Sequence, residues 1–174
     1  MKSVLRGRKN HKNKMKSIQK NVPEELKGHH SPSKNFKFSI ESVEPQAEVI
    51  EFLDEKIYEF NSQTINKFDG KQFTKIIRDQ SSNIIAGISG WTWAMVSEIT
   101  LLWVKEEYRK KGLGTILLKA AEEEISRAGC STILLRTYSF QAPLFYEKHG
   151  FKSVFILEDF PKGFRHYNLV KRMV

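Results

Sequence analysis

The chain has 174 residues, of which 40% are hydrophobic and 28% are charged, and this is the size and composition of one globular domain. Its single cysteine, Cys130, excludes an internal disulfide and any metal site built from several cysteines. No apolar run reaches the length of a membrane span, and the basic N-terminus is not followed by the apolar segment of a secretory signal, so we expect a cytoplasmic protein.

The positive charge lies mostly at the start of the chain. The net charge is +9, and residues 1–34 hold ten lysines and arginines against Glu24 and Glu25. This segment has no helical or strand period, so we expect a disordered basic tail followed by one domain over residues 35–174. Two roles stay open: attachment to nucleic acid or another polyanion, and a solvated leader, including an extension from an early start codon with Met15 as the true start. The absence of aromatic residues that could stack on bases favours the leader.

The domain is predicted to open with a strand and a helix. Phe36, Phe38 and Ile40 alternate with polar residues, which is the pattern of a strand. A helix is predicted from about residue 45 to residue 61, because five apolar side chains fall on one of its faces: Val49, Ile50, Leu53, Ile57 and Phe60.

Three strands are predicted next. A polar connection over residues 62–70 leads to strands over residues 73–78 and 84–93, separated by a turn. A second hairpin near Ala94 leads into an apolar strand over residues 99–104, which suits a position buried on both faces of a sheet.

A basic loop with two glycines follows this apolar strand and opens a helix at about Thr115. The free N–H groups of a helix start, the positive end of its dipole and nearby cations would together hold a pyrophosphate, and glycines let a ligand approach the backbone closely. A P-loop would need Lys and Ser or Thr after its second glycine, and a dinucleotide fingerprint would need a third glycine where Leu117 stands. Neither motif is present. The loop residues are Arg109, Lys110, Lys111, Gly112, Leu113 and Gly114.

The second half of the domain alternates helices and strands. The helix after the loop is predicted to end at Gly129, and a strand over residues 131–138 should run parallel to the strand over residues 99–104, because a helix connects them. A short helix from about Ala142 and two final strands, over residues 151–157 and 165–170, complete the pattern.

Two motifs give the chain a resemblance to a known family. Residues 109–114 match the pattern Arg/Gln-x-x-Gly-x-Gly/Ala, and residues 139–151 match a segment in which Ala, then Tyr, then a Gly-Phe pair follow at fixed spacing. With these motifs the sequence resembles the GNAT superfamily of acetyl-CoA-dependent N-acetyltransferases over residues 36–174. The resemblance implies an α/β fold, the GNAT fold, with a mixed central sheet of six to seven strands flanked by helices.

The resemblance also implies roles for individual residues. Tyr146 matches the tyrosine that is commonly the general acid for the departing thiolate. Backbone groups of the strand before the loop would bind the pantetheine arm, and the loop would bind the pyrophosphate. The segment after the strand over residues 131–138 would add two contacts. Ser139, one of these, stands where many family members have Asn. The implied acetyl-CoA contacts are Leu102, Trp103, Val104, Arg109, Lys110, Lys111, Gly112, Leu113, Gly114, Thr115, Ser139 and Ala142.

Glu98 is the candidate general base. Alternation along a strand puts Glu98, Thr100, Leu102 and Val104 on one side, and the resemblance implies that a glutamate at the matching position deprotonates the amine, often through water. The alternative is a carboxylate at the mouth of the hairpin that only meets solvent.

Three classes of function follow from the sequence. The first is an N-acetyltransferase that moves acetyl from acetyl-CoA to a primary amine, with no metal and as a monomer or homodimer. The second is a non-catalytic acyl-CoA-binding module, against which the joint presence of Tyr146 and Glu98 argues. The third is a nucleic-acid-associated protein recruited through the basic tail. No membrane partner is expected, and the sequence does not specify which amine is the acceptor.

Overall fold

Three helices and six strands form the part of the chain that the computed structural model describes, residues 39–173. In chain order they are α1 (Ala47–Ile65), β1 (Lys71–Arg78), β2 (Ile84–Trp93), β3 (Val96–Val104), α2 (Leu113–Arg127), β4 (Thr132–Tyr138), α3 (Pro143–Lys148), β5 (Lys152–Leu157) and β6 (His166–Arg172). A 3-10 turn, Glu106–Tyr108, separates β3 from α2. None of the helices in this range is long and apolar enough to cross a membrane.

The strands form one mixed sheet in the order β1-β2-β3-β4-β6-β5. The neighbours β3 and β4, which α2 connects, are parallel, and the other four neighbouring pairs are antiparallel. This confirms the predicted mixed sheet and the parallel arrangement of its two central strands.

The two central strands separate halfway along their length. Their pairing runs only from Val96 with Thr132 to Ile99 with Leu135, although β3 continues to Val104 and β4 to Tyr138. Beyond Ile99, β3 keeps its ladder with β2, so its other edge has no paired strand in the described chain. The result is an opening between the C-terminal halves of β3 and β4.

A β-bulge at Thr100 changes which side chains of β3 share a face. Ser89 pairs with Leu101 and Gly90 pairs with Ile99, so one residue of β3 is left over. Ile99 is buried before the bulge and Leu102 packs against the core after it, whereas Leu101 is exposed. The prediction that Glu98 and Leu102 share one side of the strand is therefore wrong, since the extra residue shifts the alternation by one.

The hydrophobic core lies between one face of the sheet and the helices α2 and α3. Alternate residues of the strands meet the apolar stripe of α2 there, as period-two and helical patterning require. Cys130 belongs to this core, and burial raises the pKa of its thiol, which supports a packing role. The fully buried core residues of largest volume are Ile88, Leu118, Ile125, Ile133, Leu135 and Leu169.

Helix α1 departs from the sequence prediction in length and in orientation. It continues to Ile65, so Ser62, predicted in the connection, is a fully buried residue of the last turns. The Tyr58 side of the helix carries the contacts: the Tyr58 hydroxyl accepts from Gly70 N at 3.1 Å, and its ring lies 6.3 Å from that of Trp93. The predicted apolar face is instead exposed, with Ile57 61% and Phe60 68% accessible.

The predictions for the N-terminal part of the chain fall mostly outside the described residues. The basic tail, residues 1–34, and most of the predicted first strand lie there. The two described residues of that strand, Ser39 and Ile40, are not in a strand. The compact unit that holds the sheet begins at Ala47.

Candidate active site

The helix start after the basic loop is open to an anion. Gly112 is its N-cap and has a left-handed backbone, with φ at 84°, and no described side chain caps the helix. The first helical hydrogen bond runs from Ile116 N to Gly112 O at 3.1 Å, so the N–H groups of Leu113, Gly114 and Thr115 have no partner within the helix. Such N–H groups at the positive end of a helix dipole attract phosphate.

The three cations of the loop are all exposed but differ in their surroundings. Arg109 turns back to β3 and donates from Nε to Val104 O at 3.1 Å, which ties the loop to the strand that borders the opening. Lys111 places Nζ 5.3 Å from the centre of the Tyr108 ring. Lys110 has a left-handed backbone, with φ at 60°. The loop thus carries positive charge beside the helix start, next to the end of β3.

The two glycines of the loop have different physical roles. A Cβ on Gly112 would meet nothing within 4 Å, so a glycine is needed here for its positive φ and not for space. The approach to the backbone is open at this residue. A Cβ on Gly114 would lie 3.3 Å from Cζ of Phe145. Gly114 therefore also has a packing role, because it allows α2 to approach the ring of Phe145 on α3. The close approach of a ligand to both glycines stays a prediction.

Tyr146 lies on α3 inside the core. It is 8% exposed, and its ring contacts those of Phe145 and Phe151 at 5.1 and 5.9 Å. Burial raises the pKa of its phenol to about 12, because the low-dielectric surroundings disfavour the phenolate. The side chain is accordingly a neutral hydrogen-bond donor at neutral pH.

The other predicted contacts with acetyl-CoA lie on β3 and in the segment after β4. Leu102 and Val104 turn their side chains to the core and Trp103 is 49% exposed on the other face. Ser139 exchanges bonds with the loop before β6: its N–H donates to Arg165 O at 2.8 Å and its Oγ accepts from Arg165 N at 3.1 Å. Ala142 is the N-cap of α3.

Glu98 forms an ion pair across the two central strands. Arg136 of β4 donates to Glu98 Oε1 from Nη2 at 2.8 Å and from Nε at 3.2 Å. Only 12% of the Glu98 side chain is exposed, so the plainer interpretation of a carboxylate that only meets solvent is wrong. Arg136 directly follows the last residue of β4 that pairs with β3. The ion pair therefore lies where the opening begins, on the sheet face opposite the core.

Aromatic side chains form a group at the end of β4, which we call the rim cluster. The rings of Tyr138 and Phe140 stack at 5.1 Å, and Phe140 meets Phe164 edge-on at 5.0 Å. His166 contacts Tyr138 at 4.7 Å and Phe160 at 5.6 Å. Tyr138 lies two residues beyond Arg136 on β4, so the rim cluster shares the face of the Glu98 ion pair.

Known proteins are similar to this chain in sequence. Residues 71–153 match the sequence profile of the acetyltransferase (GNAT) domain. A blasticidin-S acetyltransferase from Streptomyces morookaense is 33% identical over 97 residues, which cover 55% of this chain and 69% of that protein. The chain belongs to the GNAT acetyltransferase family.

Solved structures agree with this membership. An acetyltransferase from Bacillus cereus ATCC 14579 is 30% identical with a TM-score of 0.65, and the match covers 76% of this chain and 98% of that one. A structure from Agrobacterium tumefaciens is 26% identical with a TM-score of 0.70, covering 79% and 100%. The predicted family, GNAT fold and enzyme class are thereby confirmed.

The sequence did not indicate three side chains that belong to the candidate site of this GNAT acetyltransferase. Arg136 is a charged residue inside a central strand, which by itself signals a need for a partner. Gln141 fixes the turn after β4, since its Oε1 accepts from Tyr138 N at 2.9 Å and from Thr137 Oγ1 at 3.0 Å. His149 ends the helix that carries Tyr146, and its contact with Thr115 depends on tertiary structure. Among residues 39–173 no group of His, Cys, Asp and Glu is arranged to hold a metal ion.

Proposed function

We propose that this acetyltransferase moves the acetyl group of acetyl-CoA directly to a primary amine of a small molecule or peptide. The observation that carries the proposal is the opening between β3 and β4, bordered by a strand edge that leads into an uncapped, cation-flanked helix start. The N–H groups of Leu113, Gly114 and Thr115 bind the pyrophosphate, and the free edge of residues 102–104 binds the pantetheine arm. The thioester then lies in the opening.

The reaction is a nucleophilic displacement at the thioester carbonyl. The amine nitrogen forms a bond to the carbonyl carbon, the oxyanion collapses, the carbon–sulfur bond breaks, and the products are the acetamide and the thiolate of CoA. Glu98 accepts the proton that the amine loses, through a water molecule. A backbone N–H at the free edge of β3 stabilises the oxyanion.

Tyr146, the predicted general acid, stabilises the leaving sulfur as a hydrogen-bond donor. With a pKa of about 12 the phenol keeps its proton at neutral pH. A thiol has a pKa of about 8.5, so complete transfer of the proton from the phenol to the thiolate is thermodynamically unfavourable. The main contribution is therefore a hydrogen bond to the charge that develops on sulfur as the bond breaks.

The acceptor approaches from the face that carries the Glu98 ion pair and the rim cluster. Acetyl-CoA occupies the loop and the strand edge. Glu98 lies beside the opening on the sheet face opposite the core, so the amine must reach it from that face. The exposed rings of Phe140, Phe160 and Phe164, with 45 to 56% of their surfaces accessible, form one wall of the acceptor region. We propose no particular amine, and the predicted cytoplasmic location remains a prediction.

The decisive experiment incubates the full chain with acetyl-CoA and a panel of amines and measures CoA release with a thiol reagent. Acetyl-CoA alone should raise the melting temperature, because a ligand that binds only the folded state stabilises it. CoA release that depends on an amine supports the acetyltransferase. Stabilisation by acetyl-CoA without release from any amine class would favour the binding module instead.

The nucleic-acid alternative depends on residues 1–34, which lie outside the described chain. If it holds, deletion of these residues abolishes salt-sensitive binding to a polyanion. An unchanged dependence of binding on salt after deletion would end that alternative.

A further inference from the structure

His149 joins the start of α2 to the helix that carries Tyr146. Its ring nitrogen Nδ1 lies 2.7 Å from Phe145 O, and its other nitrogen, Nε2, lies 3.1 Å from Thr115 Oγ1. The ring is half-buried and lies 4.4 Å from that of Phe145. Thr115 is the third residue of α2, so the contact is within the turn whose N–H groups are open to an anion.

The partner of Nδ1 fixes the direction of one hydrogen bond, and in the neutral ring this also fixes the direction of the other. A carbonyl oxygen can only accept, so Nδ1 carries a hydrogen and donates to Phe145 O. In the neutral ring Nε2 is then an acceptor, and the hydroxyl of Thr115 must donate to it. The hydroxyl proton of Thr115 is therefore used in the hydrogen bond to His149.

We propose that His149 is a positioning residue that holds the pyrophosphate-binding turn at a fixed distance from Tyr146. This rests on the proposed function. Phe145 supports the same junction twice, through its carbonyl and through its ring, which fills the space where Gly114 lacks a side chain. It follows that Thr115 serves acetyl-CoA with its backbone N–H, while its hydroxyl is used within the protein.

The tautomer of His149 provides a direct test. Long-range ¹H–¹⁵N correlation spectra of the full chain at a pH of about 8.5, where histidine is neutral, should show the Nδ1–H form of one ring, identified by its loss in His149→Phe. Thr115→Val should alter this signal and Thr115→Ser should restore it. An Nε2–H ring at His149 would overturn the proposal. The measurement needs no acetyl transfer, so it remains informative if the proposed function fails.

Kinetics test the positioning role. Thr115→Val and His149→Phe should each raise KM for acetyl-CoA and lower kcat about 3- to 10-fold, the range of one lost hydrogen bond, and the double variant should be no worse than the worse single one. Lys148→Ala, an exposed neighbour at the same helix end, is the control and should change neither constant. If the Thr115 hydroxyl contacted phosphate instead, His149→Phe would leave KM unchanged and the effects would multiply, which would refute the proposal.

Discussion

In the proposed function, burial prepares the side chain of Tyr146 for its role at the leaving sulfur. Its phenol lies among Phe145, Phe151 and the rest of the core, and the resulting rise in pKa keeps it protonated. Contacts with the rings of Phe145 and Phe151 hold its own ring in place. A phenol that is both neutral and fixed can stabilise a leaving thiolate without rearranging.

Removal of this hydroxyl should separate catalysis from binding. We expect Tyr146→Phe to lower kcat by about 10² to 10⁴ and to change the Kd for acetyl-CoA little, since the ring and its packing remain. Steady-state kinetics and calorimetric titration measure the two quantities. Wild-type turnover in this variant would remove Tyr146 from the mechanism.

The raised pKa of Tyr146 also predicts a loss of stability in alkali. The unfolded phenol ionises near pH 10, whereas the folded one keeps its proton to about pH 12, so the folded state binds more protons in between and stability falls as pH rises. This group alone should cost about 1.4 kcal/mol at pH 11. Urea unfolding at pH 9 and 11 should show a smaller loss for Tyr146→Phe than for the wild type.

At the scale of elements, the N-terminus of α2 depends on a backbone that only glycine adopts without strain. Gly112 ends the basic loop with a positive φ and leaves open space above the first N–H groups. The 3-10 turn and the bond from Arg109 to Val104 fix where this helix starts relative to β3. Loop, strand edge and helix start are therefore one hydrogen-bonded unit.

Gly112→Ala tests this unit, and Gly129→Ala is its matched control. Both glycines have a positive φ, 84° and 74°, and a Cβ would meet nothing at either. Each substitution should therefore cost about 1 to 2 kcal/mol of stability through backbone strain alone. Only Gly112→Ala should also raise KM for acetyl-CoA. Equal effects of the two variants on KM would contradict the assignment of the loop.

At the scale of the whole molecule, the proposed function brings the amine to one face of the sheet and keeps acetyl-CoA at the loop and the strand edge. The core and the helices α2 and α3 lie on one face, and the Glu98 ion pair and the rim cluster lie on the other. In the proposed function, the amine and the thioester meet at the opening between β3 and β4. Substitutions on the two faces should therefore affect different substrates.

Phe140→Ala should raise KM for the amine about 3- to 10-fold, from the loss of one aromatic contact, while KM for acetyl-CoA stays unchanged. Phe155→Ala is the control, because Phe155 on the edge strand β5 is equally exposed, at 56%. Initial rates with each substrate varied in turn measure both constants. A change confined to acetyl-CoA would place the rim cluster on the cofactor side.

The sequence by itself determined the types of the described elements from residue 47 onward, the mixed sheet and the position of the glycine loop. These follow from local patterns: hydrophobic period, turn residues and two motifs of fixed spacing. Tertiary structure alone decided that Thr100 is bulged, that Gly114 packs against Phe145, and that Glu98 and His149 pair with Arg136 and Thr115. Each of these depends on the register of strands or the docking of helices that are distant in sequence, and period-two or helical spacing carries no information about such register.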